Sequence, residues 1–229
     1  MSGILYGVGV GPGDPELMTL KAVRLIRENQ VIAVPGEEAE ASVAYKIAVQ
    51  AVPELAEKKL IPVSMPMTHD KEELRNNHQK AADQLEQYLI QGKNVVFLTL
   101  GDPTIYSTYL YVQRILEKKG YDTRLVSGIP SFCAAAARLN IPLVELKETL
   151  HVVPAFYGFT EEELKRPGNF VFMKSGKRMG QVKEALLESG KDVMMVENCG
   201  MENEKIYGSA DEIPENAGYY SLIIAKERK

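Results

Sequence analysis

The sequence is poor in the residues that mark metal centres and disulfide scaffolds. It holds two cysteines, Cys133 and Cys199, and three histidines, His69, His78 and His151, among 229 residues. The cysteines stand far apart in apolar or glycine-containing surroundings, which excludes a disulfide framework and a Cys-x-x-Cys site and fits two reduced, structural thiols. The histidines show no metal-ligand spacing, so no protein-bound metal is expected. No run approaches the ~20 apolar residues that cross a bilayer, and the N-terminus lacks a charged segment leading into a long apolar one. A cytoplasmic protein without membrane association is the expectation. The formal net charge is −4 with basic residues scattered along the chain, so the clustered positive footprint of a nucleic-acid binder is missing.

What is present is an ordinary apolar share, 45%, enough to bury a core. Short β-branched runs alternate with helical segments: strands at 3–10, 31–34, around Lys59–Val63, 94–100 and 123–127, with helices from Leu20, over 42–52, from Asp70 to Gln91, after Pro103, and over 131–139. In "TLKAVRLIREN" the apolar residues Leu20, Val23 and Ile26 fall at helical spacing, and Thr19 or Asp14 supplies the N-cap. Such alternation predicts a mostly parallel sheet covered on both faces. After residue 147 the texture changes. Strands "LHVVPAF", "NFVFMKS" and "DVMMVEN" alternate with helices over 160–166 and 177–189, and two further strands end the chain. The reading is two α/β domains, 1–147 and 148–229, the second with a mixed sheet. No repeat of about 20–50 residues and no low-complexity linker separates them, so a close-packed pair with a cleft is expected.

Three loops carry the candidate chemistry. The first, Gly7-Val8-Gly9-Val10-Gly11-Pro12-Gly13-Asp14, invites a dinucleotide reading, but the third position of G-x-G-x-x-G falls on Pro12 or Asp14. The Walker spacing and the G-x-S-x-G elbow are absent as well. A tight turn, or a site for a ligand without phosphate, remains. The second is Gly101-Asp102-Pro103, followed by the hydroxyl-rich Thr104, Tyr106, Ser107, Thr108 and Tyr109. Asp102 either caps the next helix or faces a ligand at the carboxyl end of a central strand. The third, "VSGIPSFCAAAARL", has small residues that permit close helix packing or close ligand approach. Lys174, Lys177 and Arg178 cluster after "NFVFM", at a helix start where the dipole favours acids; they are either a solvated helix start or the answer to an anionic ligand.

In order, "GVGVGPGDPELMTLKA", "LTLGDPTIYSTYLYV" and "VSGIPSFCAAAARLNIPL" resemble the tetrapyrrole methyltransferases that use S-adenosylmethionine, over nearly the whole chain. Within that family "LTLGDPTIYSTY", with "PMTHD" upstream, is similar to the group that methylates carbon 20 of precorrin-2 or of cobalt-factor II in cobalamin biosynthesis. Members that methylate uroporphyrinogen carry Asp-Arg after the second strand, where this chain has Pro35-Gly36-Glu37.

The resemblance implies a cofactor cleft between the domains, with S-adenosylhomocysteine as product. Pro12, Leu100, Gly101, Asp102, Ile105, Pro130, Ser131, Met173 and Cys199 match cofactor-contacting positions, with Gly200 as the alternative to Cys199. A carboxylate such as Asp102 is tolerable beside a sulfonium and an ammonium. Tyr106, Asp102 and Glu197 are the candidates for removing the proton from the methylated carbon, unless water or the macrocycle does so. Arg138, Lys174, Lys177 and Arg178 are the cations for the substrate's acidic side chains. The resemblance also implies a homodimer. Methylation of another ring carbon or of diphthine, and a binding module without catalysis, stay open.

Overall fold

A computed structural model describes residues 2–66, 70–155 and 161–228, without the side chains of Glu161 and Lys177. The Met67–His69 part of "PMTHD", and with it His69, lies outside the described residues. The chain forms two compact units, Met1–Pro130 and Ser131–Lys229.

The first unit holds β1 (Leu5–Gly9), α1 (Leu20–Glu28), β2 (Val31–Pro35), α2 (Val43–Ala51), β3 (Lys59–Val63), α3 (Lys71–Leu89), β4 (Val95–Thr99), α4 (Tyr109–Lys118) and β5 (Thr123–Val126). Its strands run parallel in the order β3-β2-β4-β1-β5. All five residues of β4 are buried because successive side chains enter opposite cores. Val96 and Leu98 meet Leu25, Ile26 and Ile47 of α1 and α2; Val95 and Phe97 meet Ala82, Leu85, Tyr109 and Leu116 of α3 and α4. The helix starts follow cap chemistry. Thr19 accepts from Ala22 N at 3.1 Å, and Asp70 accepts from Glu72 N and Glu73 N at 2.8 and 3.1 Å. Asp14 caps a separate 3-10 turn, Pro15–Leu17, so both expected caps are used, on different turns.

The second unit comprises α5 (Ser131–Arg138), β6 (Leu150–Pro154), α6 (Glu161–Leu164), β7 (Asn169–Met173), α7 (Met179–Glu188), β8 (Asp192–Glu197), β9 (Lys205–Tyr207) and β10 (Ser221–Lys226). Its sheet is mixed, in the order β6-β7-β10-β8-β9. Among the described residues only β6 and β7 pair in parallel, and β10 runs antiparallel to both β7 and β8. Helix α5 lies against β10, which places the division between the units at Pro130/Ser131 instead of after Lys147.

Candidate functional site

The carboxyl ends of β1, β4 and β5 come together through glycines. A Cβ on Gly9 would stand 2.4 Å from the Gly101 carbonyl oxygen and 2.7 Å from the Gly128 nitrogen; one on Gly128 would stand 2.1 Å from that same oxygen. Gly101 N–H donates to the Gly11 carbonyl at 2.7 Å and Gly11 N–H returns the bond at 3.3 Å, with both residues at positive φ, 69° and 78°. These glycines let three loops meet backbone to backbone and form one junction at the ligand-bearing end of a parallel sheet.

Asp102 is the tie within it. The carboxylate is buried; Oδ1 accepts from Thr104 N at 2.8 Å and Thr104 Oγ1 at 2.5 Å, and Oδ2 accepts from Gly128 N at 3.0 Å. It therefore caps a turn at Thr104 and joins the β4 loop to the β5 loop, and α4 begins only at Tyr109. Sequence reasoning missed Thr104 and Gly128 as its partners. The Asx-turn spacing announced the first, but the second is a contact between loops 26 residues apart.

Most of the hydroxyls after Asp102 serve the fold. Ser107 Oγ and Thr99 Oγ1 are 2.9 Å apart in a buried pair, and Ser107 Oγ also accepts from Tyr109 N at 3.3 Å. Tyr109 is fully buried, its hydroxyl donating to the Leu5 and Arg124 carbonyls at 3.3 Å each, and burial raises its phenol far above the ordinary value. Tyr106 differs. The residue is 41% exposed and its φ is +49°, and partial burial raises its phenol, which stays protonated at neutral pH.

In the second unit the ends of β7 and β8 are also strained, Lys174 having φ +57° and Asn198 φ +54°. Lys174 Nζ lies 5.9 Å from the Tyr219 ring centroid, and Tyr219 packs edge-on to Tyr220 with centroids 5.3 Å apart. Glu197 accepts from Gly218 N at 2.7 Å and from the Tyr207 hydroxyl at 3.4 Å. Arg138 donates to Glu204 at 2.6 Å, and Arg178 is exposed just before α7. Of the expected cofactor positions, Pro12, Gly101, Asp102 and Cys199 are buried, whereas Leu100, Ile105, Pro130, Ser131 and Met173 keep part of their surface. Of the two cysteines, Cys199 is buried and Cys133 exposed. Among the described residues no group of three or more His, Cys, Asp or Glu could hold a metal ion, and no helix is long and apolar enough to cross a membrane.

A groove of about 670 Å³ lies elsewhere, between α1 and β5, lined by Tyr6, Lys21, Arg24, Asn94 and Arg124 among others. It sits toward the amino ends of the strands, away from the junction. Its arginines are matched locally, Arg24 with Glu28 and Arg124 with Asp122. The junction is the better candidate because parallel sheets bind ligands at the carboxyl ends of their strands.

The junction's chemistry decides what it can hold. The loops 9–14, 100–108 and 127–131 contain no lysine or arginine, and their side chains are small, apolar or hydroxyl-bearing apart from the aspartates. A phosphate would find no cation there. S-adenosylmethionine, which carries a sulfonium and an ammonium and no phosphate, fits this donor set. The first α/β unit thus carries a glycine-built junction at its strand ends whose only charged side chains are carboxylates, a setting for a small cationic or neutral ligand.

The chain belongs to the family described as Tetrapyrrole (Corrin/Porphyrin) Methylases, whose sequence pattern matches residues 4–214. As such it is an S-adenosylmethionine-dependent methyltransferase. It is 36% identical over 231 residues to the probable cobalt-precorrin-2 C(20)-methyltransferase of Methanocaldococcus jannaschii, covering 98% of this chain and 96% of that one. It is 28% identical over 238 residues to the precorrin-2 C(20)-methyltransferase of a Sinorhizobium species, covering 98% and 97%. Its fold matches the uroporphyrin-III C-methyltransferase of Thermus thermophilus solved with S-adenosylhomocysteine, with a TM-score of 0.70, 23% identity and 98% coverage of both chains.

Proposed function

We propose that this enzyme transfers the methyl group of S-adenosylmethionine to carbon 20 of precorrin-2 or its cobalt complex, a step of cobalamin biosynthesis. The observation that carries the reading is the 36% identity, over 98% of the chain, to a relative named for that reaction. Pro35-Gly36-Glu37 at the end of β2, in place of Asp-Arg, supports it against uroporphyrinogen.

The cofactor supplies an electrophilic methyl group, and the reduced macrocycle supplies the carbon nucleophile, so the protein's task is to bind, orient and desolvate. In this reading Leu100, Ile105, Pro130 and Ser131 of the first unit offer surface to the cofactor, and Gly101 and Asp102 set the shape of the loop that holds it. Met173 and Cys199, or Gly200 in its place, enter the reading by resemblance alone. Lys174 and Arg178 receive acidic side chains of the tetrapyrrole, and Lys177 belongs with them by its place in the sequence. Arg138, already matched by Glu204, is the weakest member of that set.

Asp102 and Glu197 accept from donors of the fold through both oxygens, and Tyr106 is held protonated. In this reading the carbon-20 proton leaves to solvent or to a macrocycle nitrogen, because the Asp102 and Glu197 oxygens already accept from donors of the fold. A cytoplasmic homodimer completes the reading, and light scattering in solution tests the dimer.

The decisive experiment is anaerobic incubation with S-adenosylmethionine and, separately, precorrin-2, cobalt-factor II and uroporphyrinogen, with NMR location of the new methyl. One methyl at carbon 20 of either of the first two is expected. A methyl elsewhere, or on uroporphyrinogen alone, would overturn the substrate assignment and leave the family intact.

A further inference from the structure

The loop between β4 and α4 is fastened at both ends, and one residue between the fastenings is strained. At its start Asp102 holds the backbone N–H and hydroxyl of Thr104, and Ile105 N–H donates to the Asp102 carbonyl at 3.2 Å. At its end the buried Ser107 hydroxyl is bonded to Thr99, the last residue of β4, and to the first residue of α4, Tyr109, whose ring is locked in the core. Tyr106 joins the two and takes a left-handed backbone, φ +49°.

For a bulky side chain that conformation costs roughly 1–2 kcal/mol, and glycine would adopt it without cost. The residue does not recover this by full burial, since it is 41% exposed. A strained, half-exposed aromatic fixed at the carboxyl end of a central parallel strand marks a residue kept for contact with a ligand.

We propose that Tyr106 is a substrate contact, its phenol donating a hydrogen bond to the tetrapyrrole, and that Thr99 and Ser107 are positioning residues that hold it there. The substrate part rests on the function proposed above. Thr99 never reaches the ligand; it acts through Ser107, whose hydroxyl fixes the peptide that follows Tyr106. The direction of the bond follows from the phenol's protonated state, because a neutral phenol beside an acidic substrate is a donor.

The test pairs two substitutions of similar shape with a background that lacks the ring. Thr99→Val keeps the side-chain volume and removes the hydroxyl; Thr99→Ser keeps the hydroxyl. Thr99→Val is expected to lower kcat/KM for the tetrapyrrole by about tenfold, the scale of one lost hydrogen bond, with S-adenosylhomocysteine affinity unchanged, while Thr99→Ser stays close to the parent. In the Tyr106→Ala background Thr99→Val should add no further loss. An equal loss in both backgrounds, or parallel falls in cofactor affinity and Tm, would show a merely structural role and overturn the proposal.

A substrate-free readout separates this from a failure of the function itself. In protein labelled with ¹³C-tyrosine, the Tyr106 Cα shift reports its left-handed backbone, and Thr99→Val should move it. If the parent protein methylates no tetrapyrrole, the function falls while the positioning claim stands or falls on that shift; an unmoved shift overturns it.

Discussion

Gly7 and Tyr109 share one space: a Cβ built on Gly7 would lie 2.3 Å from the Tyr109 ring. The ring lies beside the middle of β1 and packs edge-on to Phe97 at 5.7 Å, so the bare backbone of Gly7 is what admits it. Gly7→Ala should therefore destabilise by overpacking, about 1–3 kcal/mol, read as a lower midpoint in urea at unchanged slope.

Asp102→Asn tests the tie between loops. The amide has the same shape but offers one acceptor oxygen where the carboxylate offers two, so either Gly128 N–H or the Thr104 pair loses its partner. A buried donor left unmatched costs about 1–3 kcal/mol, and the loops that frame the proposed cofactor site separate. Calorimetry should show both a lower Tm and weaker S-adenosylhomocysteine binding. Weaker binding with an unchanged Tm would instead assign Asp102 to the ligand directly.

His78 predicts a pH dependence. It is buried on α3, stacked on Tyr111 with ring centroids 4.3 Å apart and planes 7° from parallel, and burial lowers its pKa from 6.5. Below the unfolded value the unfolded chain takes a proton that the folded chain resists. Stability is thus full above that value and falls as pH drops through it toward the folded one. Urea titrations at pH 8 and pH 5.5 should show this loss, and His78→Phe, which keeps the stack without the titration, should reduce it.

Much of the fold was legible because its signals are local. Apolar runs between turn residues gave the strands, and Thr19 and Asp70 marked helix starts by chemistry confined to one turn. The site was less so. Nothing in "GVGVGPGD" says that Gly9 faces Gly128, because that contact depends on three strands lying side by side. The hydroxyls of "PTIYSTY" looked alike in sequence, and only the packing separated Ser107 and Tyr109, turned inward, from Tyr106, turned out. Arg138 read as a free cation because Glu204, its partner, is 66 residues away.

The second unit closes on an ion pair whose two halves are unequally buried, and that asymmetry makes a directional prediction. The Lys191 side chain is 5% exposed and that of Glu227 45%, with Nζ and Oε1 2.6 Å apart. Lys191 also donates to the Gly168 carbonyl at 3.2 Å and lies 5.1 Å from the Phe170 ring centroid, while Glu227 accepts from Gly168 N–H at 3.0 Å. Glu227→Gln leaves a buried ammonium without its counter-charge and should cost about 1–3 kcal/mol. Lys191→Met leaves a carboxylate that water can reach and places an apolar chain against Phe170, so its cost should be smaller. The hydrogen bond from Lys191, followed by that from Gly168, lowers the Glu227 pKa below 4.5. The pair's contribution is therefore full above that value and is lost as pH falls through the folded pKa. Denaturation between pH 6 and pH 3 should show a shallower acid loss in Lys191→Met than in the parent; equal slopes would mean that the pair is too well solvated to matter.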